Sequence, residues 1–275
     1  MIIEKNYLSL MQGRLVKPLN RPIQEFPLKD WEKELDLLLK LNFKNIEWVV
    51  DRASYKENPL VFDNQALETL MKNKNLSISA VSNDYFLDTA NSYDNITFSD
   101  LLTSIEMQQE LISNIGEFKK YILVMPFIEN SSLKKYSKKQ VEKLLEVLLS
   151  FESNYKLDYA LELDIDRNEI TDKLGKFLGN RIFINLDVGN TVSFGFDIKS
   201  EIDDLSHFIL NVHLKDRIIN GPTVPLGTGD TRIKEIIKLL TAAGYKGKYT
   251  LQFARKYEED YKTIEEYLEI ISKYE

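Results

Sequence analysis

The 275-residue chain has no cysteine, which excludes a disulfide framework, a thiol nucleophile and a cysteine-bound zinc, and is compatible with a reducing compartment. Histidine is almost as scarce: only His207 and His213 occur, so a site needing three or more imidazoles cannot form. A basic stripe is also missing. The formal charge is −7 with Lys and Glu scattered, and nucleic acid is not an expected partner. The opening MIIEKNYLSLMQGRL carries Glu4, Lys5 and Arg14 where a signal peptide needs an apolar stretch, so the expected location is cytoplasmic, away from the membrane.

What is present is the balance of a globular protein, 43% hydrophobic and 29% charged, at a length suited to one (β/α)8 barrel over residues 1–275. Short apolar runs alternate with longer segments of helical period, the pattern of parallel βαβ units. Eight strand candidates follow in order: 7–12, 45–50, 76–82, 120–127, 159–165, 182–188, 208–215 and 248–254. Most are continuously apolar, as strands covered on both faces should be. Between them, Leu35, Leu38 and Leu39 share a helical face behind a candidate cap at Asp30. A single helix is expected from Ser99 to Gly116, and Ser137 with Gln140 reads as a capping box before Val141, Leu144, Leu145 and Leu148. Further helices are expected near 63–74, 169–179, 199–206, 231–244 and 258–273. The connection 13–30, with Pro18, Pro22 and Pro27, would lie at the active-site face as a lid, a pocket wall or simply a stiff loop.

In such a barrel, polar residues at the C-terminal ends of strands converge on one mouth. The sequence delivers Gln12 and Arg14, Glu47 and Asp51, Asn83 and Asp84, Glu162 and Asp164, Asp187 and Asn190, His213, Lys215 and Asp216, and Gln252 and Arg255. Ionisable groups inside ALELD, FINLD and LNVHLK cost free energy to bury unless paired or coordinated. Two carboxylates, an imidazole and an amide oxygen on four consecutive strands make a hard donor set, suited to Mn²⁺ first, then Mg²⁺ or Co²⁺, with Zn²⁺ less typical. The competing reading is a set of core salt bridges, for example Glu162 with Lys215.

The strings LMQGRL (10–15), IEWVVD (46–51), LDVGN (186–190), NVHLKDR (211–217), VPLGTGD (224–230) and LQFAR (251–255) resemble the xylose-isomerase-like TIM barrels of the sugar phosphate isomerase/epimerase superfamily. The resemblance runs over nearly the whole chain. It implies metal ligands at Glu162, Asp187 and His213 with the fourth position at Gln252, and a metal-dependent isomerase or epimerase of a sugar, sugar phosphate or keto-polyol. Two positions depart from the epimerase pattern. Gln252 stands where the superfamily has a Glu, which removes one of two bases, and Asn190 stands where a His is common.

On this reading Glu162 is the candidate base and Lys215, two residues after His213 and so on the same strand face, the candidate acid or holder of a substrate oxygen. Pairing of Lys215 with Asp164 or Glu162 is the plainer alternative. Gln12, Arg14, Glu47, Asn83, Asn190, Arg217 and Arg255 are the expected substrate contacts. A carbohydrate is the expected partner and a homodimer an admissible assembly. VPLGTGD admits either a backbone phosphate cradle or a structural turn capped by Asp230 or Thr231. His207 receives no function. Metal affinity is expected to fall below about pH 6, near the unperturbed imidazole pKa. The alternative functions are a dehydratase of the inosose dehydratase type, sharing the first proton abstraction, and a non-catalytic sugar-binding barrel. An endonuclease-IV-like activity would need several histidines and a basic groove, which the chain lacks.

Overall fold

Eight strands close into one parallel barrel in the computed structural model, which describes residues 4–18, 24–116, 120–151, 157–254 and 261–272. They are β1 (Leu8–Met11), β2 (Asn45–Val49), β3 (Ser77–Ser82), β4 (Ile122–Phe127), β5 (Asp158–Leu163), β6 (Ile182–Asp187), β7 (Ile209–Leu214) and β8 (Lys248–Leu251). Each neighbours the next in chain order, and β8 closes on β1 through Leu8–Tyr249, Ser9–Thr250 and Leu10–Leu251. The fold is therefore a (β/α)8 TIM barrel.

The helical ring packs as the apolar periodicity requires. Leu35 and Leu38, then Val141, Leu144, Leu145 and Leu148, then Ile233, Ile236, Ile237 and Leu240 are all buried against the barrel. Burial of such faces at roughly 25 cal/mol per Å² is what holds short strands and helices together. The Ser137–Gln140 capping box forms.

Other local expectations need correction. Asp30 makes no side-chain cap; Glu34 instead reaches back, accepting from Gly13 N at 2.9 Å and Leu15 N at 2.9 Å. Those bonds tie the start of the connection to the first helix, and Asp51 ties its end to β2 by accepting from Phe26 N at 2.8 Å. Gly13 is required there: its φ is +82° and a Cβ would lie 2.4 Å from Glu25 O. The expected helix 99–116 is two, Phe98–Glu106 and Gln109–Gly116, opened by a Thr97–Asp100 capping box. The break falls at buried Gln108, whose amide donates to Ser104 O and accepts from Asn83. After β7 the chain forms a hairpin not foreseen from sequence, Asp216–Arg217 antiparallel to Thr223–Val224.

The barrel interior is divided by chemistry. Ala80, Val124 and Ala160 pack as a small apolar cluster on the β3–β5 side, while the opposite side carries buried Glu47, Asn185, Asn211, His213 and Thr250. The β2–β3 register shifts between Ile46 and Glu47, and the β6–β7 register between Ile184 and Asn185, each immediately before an inward polar residue. A shift of this kind re-aims the side chains that follow it.

Candidate metal centre

Asp187 and His213 are register partners at the ends of β6 and β7, and Glu162 pairs with Pro126 near the end of β5. Alternation along each strand turns all three inward. Their ligand atoms lie within 4.8 Å of one another, and all three residues are buried. His213 Nδ1 sits 3.4 Å from Glu162 Oε2 and 3.9 Å from Asp187 Oδ2.

The other imidazole nitrogen is held from below. His213 Nε2 is 2.8 Å from Glu47 Oε1, and Glu47 Oε2 accepts from Asn211 Nδ2 at 3.0 Å and Thr250 Oγ at 2.6 Å. A carboxylate oxygen can only accept, so Nε2 carries a proton and Nδ1 is the nitrogen turned toward Glu162 and Asp187. This is the carboxylate–histidine arrangement that orients metal-ligating imidazoles. Burial alone would lower the imidazole pKa, but the Glu47 and Glu162 carboxylates outweigh it and push it up to about 10.

Both Glu162 oxygens are likewise committed: Oε1 accepts from Asn190 Nδ2 at 2.7 Å and Oε2 from Asn185 Nδ2 at 3.2 Å. Burial raises this carboxyl, yet His213 and Lys215 hold it down to about 2. Asp187 moves the other way, raised by burial and by the neighbouring Glu162 charge despite Lys215. Asp187 Oδ1 caps the helix Val188–Ser193 through Asn190 N at 2.8 Å.

A divalent ion fits this arrangement. Asp187 Oδ2 is buried, with the Lys215 ammonium at 2.6 Å and His213 Nδ1 at 3.9 Å. Glu47, Glu162 and Asp187 bring three negative charges and Lys215 one positive, leaving a deficit that a dication neutralises when His213 is neutral. Glu162, Asp187 and His213 would hold it. Lys215 Nζ also donates to Gln252 Oε1 at 3.2 Å, so the Gln252 carbonyl faces the same corner.

Lys215 thus pairs with Asp187, not with Asp164 or Glu162; Asp164 is bonded to Ser132 Oγ at 2.6 Å. Several expected substrate contacts have other work. Glu47 is fully buried beneath His213, and Asn83 is buried while capping the helix Asp84–Ala90 through Phe86 N. Gln12 is buried with Oε1 on Val49 N at 2.9 Å, and buried Arg14 donates to Gln24 Oε1 at 3.4 Å. Asn190 is bonded to Glu162 and accepts from Arg217 Nη1 at 2.7 Å; Arg217 also donates to Gly221 O and lies 6.0 Å over the Phe194 ring. Arg255 lies outside the described residues.

The phosphate-cradle reading of VPLGTGD fails because the cradle is filled from within. Asp216 accepts from Gly227 N at 2.8 Å, Gly229 N at 2.9 Å and Thr231 N at 3.0 Å. The loop is a structural turn anchored by Asp216, with Asp230 accepting from Ile219 N at 2.8 Å and Thr231 Oγ1 from Arg217 N at 3.2 Å. Sequence reasoning missed Asn185, Asn211, Thr250 and Gln24. A signal existed for the first two, which stand two residues before Asp187 and His213 and so share their inward face.

No protein-family model matches the sequence, and no curated protein matches it significantly. Solved structures do match in fold. A xylose isomerase domain protein from Planctomyces limnophilus superposes with a TM-score of 0.70 at 15% identity, covering 98% of this chain and 96% of its own. The IolI protein with a bound zinc atom gives 0.70 at 15%, with 98% and 99% covered. The 3-keto-D-glucoside 4-epimerase YcjR of E. coli gives 0.63 at 16%, with 96% and 98% covered. The chain has the xylose-isomerase-like TIM-barrel fold.

Proposed function

We propose that this barrel is a divalent-metal-dependent isomerase or epimerase of a sugar, sugar phosphate or related keto-polyol. The observation that carries the reading is the buried Glu162–Asp187–His213 cluster, within 4.8 Å, at the C-terminal ends of β5, β6 and β7, where barrels of this kind place their chemistry. Neighbours of the same fold support it: one is named an epimerase and another holds zinc. The two-carboxylate, imidazole and amide donor set suits Mn²⁺ first, with Mg²⁺, Co²⁺ or Zn²⁺ as alternatives. When bound, the ion would supply Lewis-acid polarisation of a carbonyl and its neighbouring hydroxyl.

The chain's own residues do the rest. Glu162 stays ionised at neutral pH, held by Asn185 and Asn190, and is the carboxylate placed to take a proton from a substrate carbon seated over the cluster. Lys215, about one-eighth exposed, faces the mouth beside Asp187 and is placed to hold a substrate oxygen or deliver a proton to it. Gln252 cannot accept a proton at neutral pH, so this pair replaces two glutamate bases.

Incubation with Mn²⁺ and a panel of aldoses, ketoses and keto-polyols in deuterated water tests this by NMR. Deuterium should enter at the carbon beside the carbonyl, and Glu162→Gln should abolish it. No exchange with any substrate, while sugars still bind, would make the barrel a binding protein. A second reading, a dehydratase, is favoured by Lys215 at the Asp187 corner accompanying a single carboxylate base, since an acid there can protonate a departing hydroxyl. Its product lacks one water, whereas isomerisation conserves mass.

A further inference from the structure

Gln252 ends the barrel with an amide where a carboxylate would present two equivalent oxygens. An amide has a direction, and only its oxygen can face a cation. Something must therefore set which way Gln252 points, and the surrounding hydrogen bonds form a directed chain. Lys215 Nζ donates to Gln252 Oε1 at 3.2 Å, and Gln252 Nε2 donates to Gln24 Oε1 at 2.9 Å. Gln24 Nε2 in turn donates to both Asp84 oxygens at 3.0 Å.

The cationic groups along this chain fix its polarity. Lys215 and Arg14 can only donate, and Arg14 Nη2 points at the same Gln24 oxygen at 3.4 Å. Asp84, also accepting from Ser82 Oγ at 2.8 Å, takes the Gln24 amide hydrogens. Turning Gln24 over would set its oxygen against Asp84 and its NH₂ against Arg14 and Gln252. Turning Gln252 over would set its NH₂ against the Lys215 ammonium and its oxygen against Gln24 Oε1. Unmade or reversed hydrogen bonds among part-buried groups cost more than the bonds themselves contribute.

We propose that Gln24, on the loop between β1 and the helix Trp31–Lys40, is a positioning residue that fixes the Gln252 amide so that its carbonyl faces the Asp187 corner of the metal centre. The inference rests on the metal reading above. In it the loop supplies by hydrogen bonding the orientation that a glutamate at 252 would not need. Arg14 and Asp84 act through Gln24, which accounts for buried charged groups at the mouth that touch none of the three ligands. It also follows that Gln252→Glu reverses a link in the chain: a carboxylate there cannot donate to Gln24.

The test uses Co²⁺ alone as probe, with the visible absorption spectrum and the dissociation constant as readouts for the full-length chain. Gln24→Ala and Gln252→Ala should each weaken Co²⁺ binding by about tenfold or more and change the spectrum, the usual size of outer-sphere effects. The double variant should bind no more weakly than Gln252→Ala, because Gln24 acts only through Gln252. The exchange pair Gln24→Glu with Asp84→Asn keeps an acceptor toward Gln252 and a donor toward position 24, and should restore the wild-type spectrum where Gln24→Glu alone does not. An unchanged spectrum and affinity in Gln24→Ala, additive losses in the double variant, or failure of the exchange pair would each overturn the proposal. Absence of Co²⁺ binding by the wild type would overturn the metal reading itself, and the two failures are therefore distinguishable.

Discussion

Metal uptake by the resting site should displace a proton across the neutral range. The perturbation is a titration of the metal-free chain with Mn²⁺ or Co²⁺ from about pH 6 to about pH 9, bracketing the window in which an imidazole and a dication compete. Burial alone would drive His213 neutral, but Glu47 at 2.8 Å and Glu162 at 3.4 Å keep it protonated up to about pH 10. At pH 7 only about one ring in a thousand then has a free Nδ1, a handicap of about 4 kcal/mol. Apparent affinity should therefore rise about tenfold per pH unit through this range, with about one proton released per ion. Calorimetry in buffers of different ionisation enthalpy reads both quantities. With two carboxylates on the ring, the fall expected below about pH 6 for an unperturbed imidazole should begin at higher pH. Glu47→Gln keeps an acceptor for Nε2 but removes the charge, so the steep region should end at lower pH. Affinity flat from about pH 7 to about pH 9, with no proton released, would mean that the ring is already neutral and that the two carboxylates do not hold its proton.

Three further outcomes are expected. Asp216→Ala strands the amides of Gly227, Gly229 and Thr231, and at about 1 kcal/mol or more for each unmade bond the urea midpoint should drop by about 3 kcal/mol equivalent; an unchanged midpoint would mean that water satisfies them. Asp84 is raised by burial to about 7, so the native state holds its proton where the unfolded chain has lost it. Stability should fall as pH rises from about 4 to about 7 and level off above, by up to about 4 kcal/mol, and Asp84→Asn should remove that component of the pH profile of Tm. Gly189→Ala would put a Cβ 2.6 Å from Lys215 Cγ and 2.8 Å from Lys215 O, so Lys215 should leave Asp187 and proton exchange should fall while metal content is retained; loss of metal instead would show that β6 itself had moved.

The metal reading and the loop chemistry stand at different depths in the sequence. Glu162, Asp187 and His213 were legible because each interrupts an apolar strand near its C-terminal end, where an unpaired charge is costly and a shared purpose is the economical explanation. The helical faces at Leu35 and Leu38 and at Val141, Leu144, Leu145 and Leu148 were legible from period alone, as was the Ser137 cap. The break at Gln108 was not, because a side chain bonding back to its own helix leaves the apolar stripe on both sides intact.

Alternating apolar strands and amphipathic helices thus determined the barrel, and barrel geometry turned strand-end residues into a mouth. Partnership across the mouth was decided only by closure. Glu47 reaches His213 over 166 residues of sequence, and Gln252 reaches Gln24 over 228. Strand periodicity states which face a residue takes but not which residue stands opposite, and the shifts before Glu47 and Asn185 alter the register locally without changing composition. Whether a buried carboxylate ligates, orients a ligand, as Glu47 does, or fills a turn, as Asp216 does, depends on which donors surround it in space, and those donors come from chain segments that only the closed barrel brings within hydrogen-bonding distance.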